Sequence, residues 1–154
     1  MLGLLMIWRS PRPSKVGDMQ AAVSRLWCRK GYEAVTVFGH IFTRTQEAAD
    51  RLNSHFDALK NHEMIHLRQA QNTHNSWLLF YVLYLWYSLL ALRYMGKTRN
   101  PAYYLNPFEI EAYCHMYDLH YLDSLQGEGA SEWRVYARMS LAARLCYVRK
   151  NNVG

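Results

Sequence analysis

The sequence predicts an α+β fold, mainly helical, with a very small β-sheet or hairpin. Three observations carry that reading. Apolar residues recur at helical spacing through most of the chain, one short run from Val35 to Thr43 is β-branched and aromatic, and Asn, Ser and Pro stand where helices would begin. With 154 residues, 51% of them hydrophobic and 19% charged, the chain can bury one real core. The expected division is a tail and loop over residues 1–18 and one domain over 19–154.

Each element has a local reason. MLGLLMIWRSPRPSK opens with an apolar run, but no cation precedes it and no small-residue cleavage site follows, so it makes a poor signal peptide. Residues 9–18 read as a loop. Residues 19–30 space Ala22, Val23, Leu26 and Trp27 like a helix, which Gly31 would end. YEAVTVFGHIFTR suggests one bent strand, or two hinged near Gly39. From Thr45 to Asn72 the pattern is helical, with a break expected near Asn53-Ser54.

Residues 77–95 are the most hydrophobic segment, interrupted only by Ser88 and Arg93, and nearly long enough to match a bilayer core. Residues 96–104 read as a loop. Asn106 as N-cap and Pro107 in the first turn then open a helix expected to run to Leu125 and stop at Gln126-Gly127-Glu128-Gly129. A last helix, capped by Ser131, carries a basic flank to Lys150.

Charge and cysteines narrow the function classes. The net charge is +6, yet the Lys and Arg are scattered and no nucleic-acid motif accompanies them, so nucleic acid is not the expected partner. Cys28, Cys114 and Cys146 are odd in number and far apart. That argues against a disulfide framework and suits a reducing, cytoplasmic compartment.

The chemistry is concentrated in His62-Glu63-Met64-Ile65-His66. Residues four apart on a helix share a face, about 6 Å apart along the axis, so both imidazoles can reach one zinc ion. Glu63 leans to the same side, where it can take a proton from a metal-activated water without filling a coordination position. Met64 and Ile65 would face the core. The alternative is a helix carrying three exposed polar residues.

A third ligand must come from elsewhere. The position six after His66 is Asn72, no glycine lies between, and His74 falls at the helix end. Glu109 is the preferred ligand, because Ala112 one turn on would let its helix approach closely, and Glu111 is the fallback. Against this, Asn106 and Glu109 have capping-box spacing, so Glu109 could instead reach back to a backbone N–H. His115 and Asp118 are either outer partners or surface residues.

HEMIHLRQ followed by NPFEIEAY resembles the gluzincin branch of zinc metallopeptidases. More closely, it resembles a family of small uncharacterised bacterial proteins with HExIHxxQ, an aromatic-rich segment and a FExEAY helix. The resemblance spans residues 32 to about 122. It implies a minimal zincin-like domain that hydrolyses peptide bonds, with zinc on His62, His66 and Glu109 and with Glu63 as general base and proton shuttle. It also implies an edge strand near residues 33–43 that pairs with an extended peptide. Tyr113 stands where many gluzincins carry an aspartate that steadies a ligand histidine. Tyr103, Tyr104 and His40 are candidates for stabilising an oxyanion, with plain packing the alternative for each, and none of them is singled out.

One topological argument links the motif to the apolar segment. A single span by 77–95 would put both histidines on one side of roughly 30 Å of hydrocarbon and Glu109 on the other. The zinc site and the span exclude each other. Residues 77–95 are therefore expected to form a buried central helix or, second, a helix lying on a membrane surface. Two other functions stay open: a metal-binding relative without turnover that acts as an interaction module, and a membrane-associated protein whose HEMIH is accidental. At this size little room is expected for a deep substrate cleft.

Overall fold

The structure, a computed structural model, describes residues 10–125 and 129–153. The N-terminal apolar run and positions 126–128 of the expected helix stop lie outside the described residues. Within them the fold is mainly helical α+β. β1 (Ala21–Val23), β2 (Ala34–Val37) and β3 (His40–Thr43) form one sheet in the order β1-β3-β2. β1 runs parallel to β3, and β2 antiparallel. Phe38 and Gly39 join β2 to β3 with φ of 49° and 84°, as a two-residue hairpin turn with both positions left-handed requires. This is the hinge expected at Gly39.

The longer helices each start at a side-chain cap. Thr45 opens α1 (Gln46–Ser54) by accepting from Ala48 N at 3.2 Å. Asp57 opens α2 (Ala58–Asn72), accepting from Lys60 N at 2.9 Å. Residues 55–57 separate the two, just past the expected break. Ser76 caps α3 (Trp77–Ala91), which tightens into a 3-10 turn over Leu92–Tyr94. After α4 (Pro101–Tyr104) come α5 (Pro107–His115), capped by Asn106, then α6 (Tyr121–Ser124), α7 (Trp133–Arg138) and α8 (Leu141–Lys150).

Several expectations need correction, most of them because of contacts between residues apart in sequence. Residues 19–30 are not a helix. Ala21–Val23 pair with β3, and the Asn53 side chain bonds both Ala21 N and Ala21 O, at 2.7 and 3.0 Å. Residues 96–104 are not all loop, because Pro101 starts α4. The helix expected to reach Leu125 ends at His115, where the Asn61 amide collects the carbonyls of His115, Met116 and Asp118 at 3.0–3.1 Å. The last helix is likewise two. The buried Arg144 guanidinium takes the carbonyls of Tyr136, Ala137 and Leu105 at 2.8–3.2 Å, and Ser140 rather than Ser131 supplies the side-chain cap.

Ile41, Leu52, Leu67, Phe80, Phe108 and Trp133 knit the sheet to α1, α2, α3, α5 and α7 in one core. Pro11, Pro13 and Ser14 are tied to the α2–α3 turn through Trp77, Gln71 and Asn75. Gly129 closes the other side. With φ of 74°, it lies where an added Cβ would stand 2.5 Å from Arg68 O, so the chain before α7 rests directly on the last turns of α2.

α2 is thereby covered nearly all round, including its polar residues. Only 17% of the apolar window Trp77–Tyr94 is buried, by contrast. The expected central burial of 77–95 is thus corrected: Phe80 and Trp77 face the core, while a continuous stripe of the same helix faces outward.

Candidate metal centre

Six polar side chains of α2 lie inside the fold: Lys60, Asn61, His62, Glu63, His66 and Gln69 are each 6% exposed or less. Burying such groups costs several kcal/mol each unless they are partnered. A helix with three exposed polar residues is therefore not what forms. Met64 and Ile65 are buried as expected, and Ile65 packs with Ala112, the small residue that brings α5 against α2.

The close approach puts Glu109 between the two imidazoles. His62 Nε2 and His66 Nε2 are 3.2 Å apart. Glu109 Oε2 lies 3.3 Å from the first and Glu109 Oε1 lies 3.4 Å from the second. Ligands arranged tetrahedrally at about 2.0–2.1 Å from one ion stand about 3.3–3.4 Å from each other. The edge between the two rings is close to that spacing, and each ring faces its own oxygen of Glu109; with one ligand atom taken from each residue, all three lie within 4.8 Å of one another, a buried group that could bind a metal ion. Glu109 Oε2 also has no hydrogen-bond partner of adequate geometry despite its full burial. A cation in the triangle would supply one.

Electrostatics favour the same occupant. Burial opposes charge on the His66 ring, but the Glu109 carboxylate outweighs it and holds the ring's pKa up at about 9. Burial also opposes charge on Glu109, but His66 and His62 outweigh it and keep the carboxyl far below the usual range. The centre is a carboxylate with two rings turned onto it, and the negative charge that draws a proton to His66 draws a divalent cation too.

The tautomer of His66 follows from its neighbours. Gln69 Nε2 donates to Phe108 O at 2.9 Å and to Glu111 Oε2 at 2.8 Å, so Gln69 Oε1 is the atom facing His66 Nδ1 at 2.8 Å. That oxygen only accepts, so Nδ1 stays protonated, and Nε2 presents a lone pair to the centre once it gives up the proton that Glu109 draws to it. His62 is held differently. Its Nδ1 has no partner, and its ring meets the Tyr113 ring edge-on at 4.7 Å. Tyr113 thus offers this imidazole a ring contact and no hydrogen bond to Nδ1.

Glu63 stands outside the triangle but lines the same cavity. Thr36 Oγ1, on β2, donates to Glu63 Oε2 at 2.5 Å. Tyr84 on α3 donates to Glu109 Oε1 at 2.6 Å. The cavity has a volume of about 280 Å³ and is walled by Trp27, Val35, Phe80 and Tyr81. A second cavity, of about 410 Å³, shares His62 and Glu63 with it and is bordered by Glu33, Arg99 and Asn100. The site is thus roomier than the chain length suggests.

The remaining candidates sort clearly. Glu111 is not in the triangle. Its carboxylate accepts from Gln69 Nε2, Trp133 N, Tyr121 OH and Glu132 N at 2.8–3.2 Å, so it ties the back of the site to α6 and α7. Asn106 caps Phe108 N, and Glu109 does not reach back to form a capping box. His115 pairs with Glu132, Asp118 caps His120 N, and His74 is exposed in the α2–α3 turn. Tyr103 borders both cavities and Tyr104 only the second, while His40 borders neither.

Thr36, Gln69 and Tyr84 carry roles that the sequence reading does not assign. Gln69 alone had a local signal: an amide one turn after His66, on the same helix face. No protein-family model, no curated protein and no solved structure matches this chain.

Glu111→Gln separates ligand from anchor. Its amide would turn an NH2 toward at least one donor now facing a carboxylate, at a cost of about 1–3 kcal/mol. Thermal melting should fall by several degrees, while metal analysis of the saturated protein should give an unchanged stoichiometry.

Proposed function

We propose that the chain is a zinc-dependent hydrolase of peptide bonds, a minimal relative of the gluzincins that its motifs resemble. One observation carries the reading. A buried His-His-carboxylate triangle, its three ligand atoms within 4.8 Å of one another, opens onto a cavity lined by a carboxylate that is not part of it. Two imidazoles and one carboxylate, with a fourth corner open, are the donor set of a catalytic zinc rather than of a closed structural one. Three free cysteines, none of them part of the triangle, fit a reducing, cytoplasmic setting.

When bound, zinc polarises the scissile carbonyl and lowers the pKa of water toward neutrality. The chain's own residues do the rest. Glu63 removes the proton from the attacking water and hands it to the leaving nitrogen. Thr36 holds one oxygen of that carboxylate, which fixes its orientation. Tyr103 borders both cavities, and burial together with Glu109 holds its hydroxyl far above its ordinary pKa, so it stays a donor suited to the developing oxyanion.

The substrate would cross the centre with an apolar side chain in the cavity walled by Trp27, Phe80 and Tyr81. Part of the β2 edge is already taken, because the Tyr81 hydroxyl accepts from Phe38 N at 3.0 Å and donates to Thr36 O at 3.2 Å. The Ala34 end of the edge remains for an extended peptide. A second reading, a metal-binding module without turnover, draws on the unpartnered His62 Nδ1.

Metal removal tests the proposal. Cleavage of a mixed-sequence quenched-peptide library should stop when a chelator strips the protein, and return with stoichiometric zinc but not with magnesium. Cleavage that persists in the stripped protein would remove zinc from the reaction. Stoichiometric zinc binding with no cleavage of any library member would favour the module.

A further inference from the structure

The outward face of α3 and its 3-10 extension is the largest feature that the metal centre leaves unexplained. Leu78, Val82, Leu85, Trp86 and Leu89 are each more than half exposed, and Met95 is 67% exposed. At about 100° per residue, Leu78, Val82, Leu85 and Leu89 line up along one side of the helix, with Trp86 on its flank. Monomeric soluble proteins rarely leave so continuous an apolar face in water.

We infer that this face docks on an anionic lipid bilayer, with α3 lying in the plane of the interface. The charge pattern identifies the occupant. The sequence has no Asp or Glu from Met64 to Phe108. The stripe ends instead in Arg93, Lys97 and Arg99, and Arg149 joins them by donating to Lys97 O at 2.7 Å. Among the described residues, none of these four cations pairs with a carboxylate. An apolar helix face with interfacial Trp and Tyr and a cationic end matches what anionic headgroups above acyl chains offer. A second copy of this face would bring the same cations and no counter-charge.

The helix lies on the surface and does not cross it. Its other face is committed to the protein: Phe80 packs on Phe108, and Asn106 Nδ2 donates to Tyr84 O and Ser88 Oγ at 3.0 and 2.9 Å. The segments before and after α3 also meet at the metal centre, where His62 and Glu109 stand 3.3 Å apart. Since α3 is about 10 Å thick and carries Tyr81 and Tyr84 on its inner side, docking brings the cavity close to the lipid surface. On the hydrolase reading, the substrates would be polypeptides presented there; the docking itself needs no metal and no turnover.

Co-sedimentation of the full-length protein with vesicles tests this. Vesicles of phosphatidylcholine with phosphatidylglycerol should bind the protein at least about tenfold more tightly than phosphatidylcholine alone, and the preference should shrink with added salt. The double variant Leu85→Glu, Leu89→Glu should lose binding while keeping the wild-type melting temperature and zinc content, since both side chains are exposed. Protein that stays in solution with the anionic vesicles would overturn the inference, the face then being covered within the molecule. Dimers that the double variant dissociates, with no vesicle binding, would overturn it in favour of a second copy. Vesicle binding unchanged in the double variant would assign it to another surface.

Discussion

Glu63→Gln is expected to leave the metal in place and to lower peptide hydrolysis by at least about 10²–10⁴-fold, the usual contribution of a positioned general base. The geometry separates the two outcomes. Glu63 lines the cavity but contributes no atom to the triangle of His62, His66 and Glu109, so the amide removes proton transfer and no ligand. Gln also keeps a carbonyl oxygen able to accept from Thr36 Oγ1, the bond now made to Glu63 Oε2. Single-turnover cleavage, together with zinc content measured on the same preparation, checks both halves. Cleavage at the wild-type rate would mean that another group takes the proton.

Glu109→Gln is expected to do the reverse and empty the site. The substitution removes the only negative charge of the triangle and swaps a carboxylate oxygen for a weak amide donor. The loss of zinc affinity should exceed the roughly 10–100-fold that outer hydrogen-bonding partners cost. Glu109 makes its contacts with His62, His66 and Tyr84, all at the centre. The rest of the fold should therefore persist, and circular dichroism of the variant should match the wild type. Competition with a chromogenic zinc chelator gives the affinity. An affinity equal to that of the wild type would exclude Glu109 as a ligand.

What the sequence revealed and what it hid have a common physical basis. Local signals read correctly where local physics decides. Asn106 caps its helix as expected, because its side chain reaches an N–H group two residues on. Phe38-Gly39 turns the hairpin through positive φ. The spacing of His62 and His66, and the small Ala112 after Glu109, foretold the triangle because helix periodicity sets both.

Where distant atoms decide, the sequence was silent. Ala21–Val23 is a strand because β3 and Asn53 supply its partners. The two long helices break because the Asn61 amide and the Arg144 guanidinium, from other elements, satisfy carbonyls that helix continuation would have used. Glu111 was the fallback ligand on sequence grounds. Its place on the helix, two residues past Glu109, turns it instead toward Gln69 and the start of α7. The exposure of α3 could not be read from hydropathy, since a core helix and a surface-lying one have the same composition.

The most direct measurement is an anomalous-difference map recorded on either side of the zinc absorption edge from crystals grown with zinc. The account expects a single strong peak bonded to His62 Nε2, His66 Nε2 and Glu109, at about 2.0–2.2 Å, with Glu63 unbonded to it. A map with no peak between these side chains, or with the ion held by other residues while the triangle is bridged only by protons, would contradict it.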